Sequence, residues 1–213
     1  MNDYKQLFNE IKNTRDYKTV GEDIQYKVIV DDYNFEIILQ FEESRSNDKW
    51  RHSDWWHNLM FLPFPLKLDD KIVWTTYGYA CAYHSAKNQP LDDFVQACKD
   101  NPDYTWKIQG WSFGSAMAKI AVRHFYIRRK LVLDEEITYG DVKVWLNPFI
   151  HWMAKDWVKS IHEFVCVNDM VTWCVPFYHR TNKCKVGGRL SLKGLLKSEY
   201  NHTHYDEYDY DKY

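Results

Sequence analysis

Apolar positions early in the chain repeat with a period of two. Gln25-Tyr26-Lys27-Val28-Ile29-Val30 alternates and is rich in β-branched side chains. Phe35-Glu36-Ile37-Ile38-Leu39-Gln40-Phe41 repeats the pattern after the turn-forming Asp31-Asp32-Tyr33-Asn34, so the two runs predict a β-hairpin. A short helix is expected before them, over residues 7–12. Residues 42–54 are polar and loop-like, and Trp55-Trp56-His57-Asn58-Leu59-Met60-Phe61 then turns apolar before Pro63 and Pro65.

From Lys71 the pattern alternates between short apolar runs and helical spacing. Lys71-Ile72-Val73-Trp74 predicts a strand, and residues 80–86 a helix. A second helix is expected over 90–99, with Pro90 in its first turn and Phe94, Val95 and Cys98 on one face. Asn101-Pro102-Asp103 breaks it, and 104–109 reads as a strand. Residues 115–129 combine small (Ala116, Ala118, Ala121) and apolar (Met117, Ile120, Val122, Phe125) side chains almost all round, the mark of a buried helix. Lys143-Val144-Trp145-Leu146 is expected as a strand, 150–159 as a helix, and His162-Glu163-Phe164-Val165-Cys166-Val167 as a strand that stops at Asn168-Asp169. This alternation predicts an α/β fold with a largely parallel central sheet flanked by helices. Neither a repeat nor a linker divides residues 1–213, so one domain is expected. The acidic, tyrosine-rich tail, 200–213, is expected to be loose, the alternative being a strand or lid edge after Tyr205 that holds His202 in place.

Composition narrows the function classes. In 213 residues, 45% are hydrophobic and 27% charged, as in an ordinary globular protein, but 17% are aromatic, including 10 Trp and 16 Tyr. Such side chains line apolar clefts and sit at interfaces. A net charge of −2 gives no basic footprint for nucleic acid. No apolar run approaches the roughly 18 residues of a membrane span. Met1-Asn2-Asp3-Tyr4-Lys5-Gln6 lacks the apolar core of a signal peptide. Cys81, Cys98, Cys166, Cys174 and Cys184 form no C-x-x-C pair and are expected as reduced thiols in a cytoplasm-like compartment. Cys174, His179 and Cys184 do not have zinc-site spacing, and neither a metal nor an organic cofactor is implied.

The candidate chemistry lies in Gly110-Trp111-Ser112-Phe113-Gly114-Ser115, where a predicted strand meets the buried helix. G-x-S-x-G at a strand–helix junction is the pattern of a nucleophile elbow, which presents a serine hydroxyl on a strained turn. Glycines flank it because side chains there would crowd the neighbouring strand and helix. A serine needs a base to take its proton, usually a histidine oriented by a carboxylate. In α/β-hydrolases these follow in the order Ser, Asp or Glu, His. Asp169 stands after a predicted strand, and only His179, His202 and His204 come later. His202 is the leading base and His204 the alternative.

These residues resemble the fungal-type (class 3) triacylglycerol lipases, colinearly from about Ile37 to Tyr205. The family's Phe-Arg-Gly-Ser/Thr corresponds to Phe41-Glu42-Glu43-Ser44, its Asp-Trp to Asp54-Trp55, and its His-x-Gly-Phe to Thr76-Tyr77-Gly78-Tyr79. Its elbow Gly-His-Ser-Leu-Gly-Gly corresponds to Gly110–Ser115, and its Thr-Phe-Gly-x-Pro-Arg-Val-Gly to the stretch from Thr138-Tyr139-Gly140-Asp141 to Trp145. Its acid stretch matches Val167-Asn168-Asp169-Met170-Val171, and its His-x-x-Tyr matches His202-Thr203-His204-Tyr205. The resemblance implies an α/β-hydrolase that acts on an acyl ester of a lipid or acylglycerol. It implies an oxyanion hole from Ser44 and the Phe113 N–H, and a lid-like segment at about 45–58. Trp50, Trp55 and Trp56, with Trp111, would then meet substrate or make transient contact with a lipid interface; the equal alternative is that Trp55 and Trp56 anchor this segment on the core. The departures are Glu42 and Glu43 in place of Arg-Gly, Trp111 in place of His, and the missing His of His-x-Gly-Phe. Two further readings stay open: a lipase-fold binding protein whose oxyanion hole is spoiled by the glutamates, and an acyltransferase or peptidase on the same triad.

Overall fold

A computed structural model describes residues 3–21, 24–42, 61–86, 88–210 and 213. Ser44, Trp50, Trp55, Trp56 and the lid-like segment lie outside them.

Seven strands form the central sheet among the described residues: β1 (Lys18–Val20), β2 (Ile24–Asp31), β3 (Glu36–Phe41), β6 (Thr105–Trp111), β7 (Leu133–Tyr139), β8 (Val158–Cys166) and β9 (Cys184–Val186), lying side by side in that order. β4 (Pro63–Leu68) and β5 (Lys71–Thr76) make a separate antiparallel hairpin. β1, β2 and β3 pair antiparallel; every pairing from β3 to β9 is parallel. The expected hairpin is therefore β2–β3, with Val28 opposite Leu39 and Asp31 opposite Glu36.

Alternation along each strand sorts side chains into two layers. Leu39, Phe41 and Ile108 join one core with α2 (Tyr77–Ser85), α3 (Gln89–Asp100) and α4 (Phe113–Arg129). Trp111, Ile137, Tyr139 and Phe164 join the other, where α1 (Tyr4–Asn13) lays down Tyr4, Phe8 and Ile11 at helical spacing. Asp3 caps α1 by accepting the N–H groups of Lys5 and Gln6, both at 3.1 Å. α4 is buried around nearly its whole circumference, as its composition requires.

Three expectations are corrected, and β7 is a strand that the polarity pattern does not announce. β7 carries Asp134-Glu135-Glu136 and hides its strand character behind three carboxylates. In the fold Glu135 pairs with Lys107 on the neighbouring strand (3.1 Å), while Glu136 is buried beside α4. Residues 143–146 are no strand; Trp145 makes one isolated antiparallel bridge to His179. The helix expected over 150–159 stops after α5 (Ile150–Met153) and a 3₁₀ turn, because Val158 is captured opposite Leu133 in the sheet. The described part of the tail is not loose. Tyr205 and Tyr210 are buried in the α1-side core, and the Tyr210 hydroxyl donates to the Tyr205 carbonyl at 2.7 Å. Their rings supply apolar area and their hydroxyls find acceptors, which a reading of polarity misses.

Candidate active site

Ser112 is the single residue between β6 and α4. Its backbone adopts φ 54° and ψ −119°, a conformation few non-glycine residues hold. The Ser112 N–H donates to the Tyr139 carbonyl (2.9 Å), and the Ser112 carbonyl accepts from the Ser115 N–H (2.9 Å) and hydroxyl (2.6 Å). The turn is closed so tightly that both flanking glycines are obligatory. A Cβ on Gly110 would lie 2.4 Å from the Gly114 carbonyl oxygen, and one on Gly114 would lie 2.5 Å from that of Phe41. Sequence spacing, strand–helix packing and the strained serine thus have one cause.

The parallel strands end along the same edge, and the other two groups come from there. Asp169 follows β8 in a turn where its N–H donates to the Cys166 carbonyl at 3.1 Å. His202 lies on α6 (Ser198–Thr203). Its Nδ1 is 2.6 Å from Asp169 Oδ2 and its Nε2 is 2.7 Å from Ser112 Oγ. An ionised carboxylate only accepts, so Nδ1 carries the proton and Nε2 is left to accept from the serine. Asp169 is fully buried, yet each oxygen is satisfied: Oδ1 by the Val171 N–H (3.0 Å), Oδ2 by His202 and by the Tyr205 hydroxyl (3.1 Å). Burial and the Asp169 charge push the Tyr205 phenol well above its ordinary pKa, so it stays a neutral donor.

His204 is not brought to the serine. Its ring stacks on Tyr200 at 3.8 Å and its Nδ1 meets the Tyr200 carbonyl. Trp111 is corrected from a substrate or lid residue to a support. It is 3% exposed, packs edge-on against Phe8, and its indole N–H donates to the His202 carbonyl at 3.1 Å. Its side chain follows the strand alternation toward the α1 layer. Phe113 opens α4, so its N–H is one of the first-turn donors without an intrahelical acceptor. Glu42 is buried at the end of β3, and its charge acts on Tyr17.

Two residues of the site escaped sequence reasoning. Tyr205 stands in the His-x-x-Tyr match, but its bond to Asp169 depends on folding a tail that reads as solvated. Gly140, just after β7, has φ +54°, and a Cβ there would meet His202 Cε1 at 2.8 Å. A glycine just beyond a strand is the available signal, hidden because Asp134-Glu135-Glu136 masks the strand character of β7.

Residues 45–179, more than half of the chain, match the family model described as lipase (class 3). The chain belongs to the class 3 lipase family. Its fold is also similar to solved lipase structures. The triacylglyceride lipase of Rhizomucor miehei matches at 19% identity and a TM-score of 0.65, over 81% of this chain and 65% of that one. Lipase II from Rhizopus niveus matches at 21% and 0.63, over 78% and 63%. A triacylglycerol lipase whose catalytic centre is formed by a serine protease triad matches at 20% and 0.67, over 81% and 65%. The chain thus spans less than two thirds of the length of these lipases. No curated protein matches it.

Behind this class 3 lipase elbow lies a buried charge cluster. Lys119 Nζ, on α4, sits 2.6 Å from Asp141 Oδ1, 2.9 Å from the Val142 carbonyl and 3.1 Å from Glu163 Oε1, with all three side chains fully buried. Arg180 adds a second cation 2.9 Å from Asp141 Oδ2, and Thr138 donates to Oδ1 at 2.9 Å. Thr181 and the Asn182 N–H donate to Glu163. Burial, offset in part by Lys119, pushes Glu163 up to about 7. Burial and the Glu163 charge hold Glu136 well above the carboxylate range. The cluster joins the helix after Ser112, the Gly140 turn, β8 and the segment after Asp169. It fixes their relative positions, as a preorganised site requires.

Proposed function

We propose that this protein is a serine carboxylester hydrolase that cleaves an acyl ester of a lipid or acylglycerol. The observation that carries the reading is His202 bridging Ser112 and Asp169 at 2.7 and 2.6 Å on a strained elbow. Family membership supports the reaction class. The triacylglycerol lipases of similar fold support the lipid ester as substrate.

Ser112 Oγ attacks the ester carbonyl while His202 Nε2 takes its proton, and Asp169 stabilises the imidazolium through Nδ1. The Phe113 N–H donates to the developing oxyanion, and Ser44 is the second donor by family resemblance. Collapse expels the alcohol, which receives its proton from His202 Nε2, and leaves the acyl group on Ser112. Water, deprotonated by the same nitrogen, then releases the acid. Tyr205 and the Val171 N–H hold Asp169 so that the imidazole keeps one tautomer and one orientation.

Turnover of p-nitrophenyl esters of short and long acyl chains by the wild type and by Ser112→Ala tests this reading. The variant is expected to lose roughly a millionfold in kcat. Equal rates for the two proteins, or no turnover of any chain length, would refute it.

A further inference from the structure

Residues 170–198 contain no Asp or Glu, in a chain that has 30. Within them Lys183, Lys185, Arg189, Lys193 and Lys197 are all exposed. Leu190, Leu192 and Leu196, interleaved with the last three cations, are 60%, 76% and 81% exposed. These leucines do not hang on a loose loop. Asn168, next to Asp169, donates to the Arg189 carbonyl (3.2 Å) and accepts the Ser191 N–H (3.0 Å). Asn201, next to His202, donates to the Gly194 carbonyl at 2.9 Å. Gly194 packs so closely on Asn168 that a Cβ would lie 2.4 Å from its amide oxygen. The backbone thus fixes three leucines in water beside the candidate triad. Trp173, 48% exposed with Lys183 4.9 Å over its ring, continues the surface.

We infer that the 183–197 ridge is a docking surface for an anionic lipid layer, with Leu190, Leu192 and Leu196 entering the acyl region. The cations meet the headgroups, and Trp173 suits the boundary between the two. A second copy of this chain fits poorly, because a two-fold contact would set this all-cationic surface against itself. The inference deepens the lipid-ester reading by naming how the site is brought to its substrate, but the contact itself does not need Ser112.

The test is flotation of the Ser112→Ala protein with vesicles of phosphatidylcholine, alone or mixed with phosphatidylserine. Binding is expected on the mixed vesicles, falling with added salt. Replacing Arg189, Lys193 and Lys197 together by Gln lowers partition on the order of a hundredfold. Replacing the three leucines by Ser lowers it at least about tenfold. In the Ser112 background both triple variants retain their turnover of a water-soluble ester, which reports an intact fold. Equal partition on neutral and anionic vesicles overturns the inference. So does a charge variant that binds like its parent, or a soluble dimer abolished by the leucine changes in a protein that never floats. A protein that floats but hydrolyses no ester keeps the surface and loses the esterase reading. An active protein that does not float loses only the surface.

Discussion

The Tyr205 hydroxyl lies 3.1 Å from Asp169 Oδ2, the oxygen that His202 Nδ1 also reaches. The same hydroxyl accepts the Cys166 N–H at 2.8 Å, tying the acid turn to the tail that carries the histidine. Tyr205→Phe removes a donor to a buried carboxylate and is expected to cost about 1.5–3 kcal/mol of stability. It should also lower kcat about tenfold, equivalent to about 1.4 kcal/mol. Chemical denaturation and ester kinetics read the two effects separately.

Gly140 admits His202 because it has no Cβ. Gly140→Ala places a methyl 2.8 Å from His202 Cε1 at φ +54°. The strained backbone should cost about 1–2 kcal/mol of stability. A displaced imidazole should cost roughly a hundredfold in kcat, because catalysis tolerates little misplacement. A kcat unchanged from wild type would mean that the ring does not need this position.

The Lys119 ammonium is the buried counter-charge of Asp141 and Glu163. Lys119→Met leaves Glu163 without its cation and Asp141 with Arg180 alone, and is expected to destabilise by about 3–5 kcal/mol. Adding Glu163→Gln removes part of that charge and should recover about 1 kcal/mol or more, because the two sites are coupled. Urea midpoints of the two single variants and the double variant measure the coupling.

Glu163 also gives stability a pH dependence. Its carboxyl titrates near 7 in the fold, against an ordinary value of 4.5, because burial disfavours the charge. The folded state therefore binds this proton more tightly than the unfolded state. The contribution is complete below 4.5 and is lost as pH rises through about 7. The wild type should lose stability relative to Glu163→Gln across this window, measured as the difference in Tm from pH 4.5 to 8. A constant difference would show that Glu163 does not titrate there.

The candidate triad was legible because its parts are marked locally. Gly110 and Gly114 are forced by contacts within one strand–turn–helix, and Asp169 ends a plainly apolar strand. What was not legible depends on partners distant in sequence. β7 is a strand because Glu135 finds Lys107 and Glu136 is buried beside the Lys119 cluster. Composition alone reads Asp134-Glu135-Glu136 as exposed. The tail is ordered because Tyr205 and Tyr210 bury their rings against α1, while its acidic residues suggest solvent. Trp111 illustrates the same limit: the lipase resemblance implies substrate contact, but strand alternation turns the side chain to the opposite layer.

In the proposed reaction, His202 activates Ser112 as a nucleophile. Labelling by a fluorophosphonate, with the adduct located by mass spectrometry, tests it most directly. Rapid modification of Ser112 is expected in the wild type, none at this position in Ser112→Ala, and labelling at least about a thousandfold slower in His202→Ala. Labelling on another residue, or an equal rate with and without His202, would contradict it.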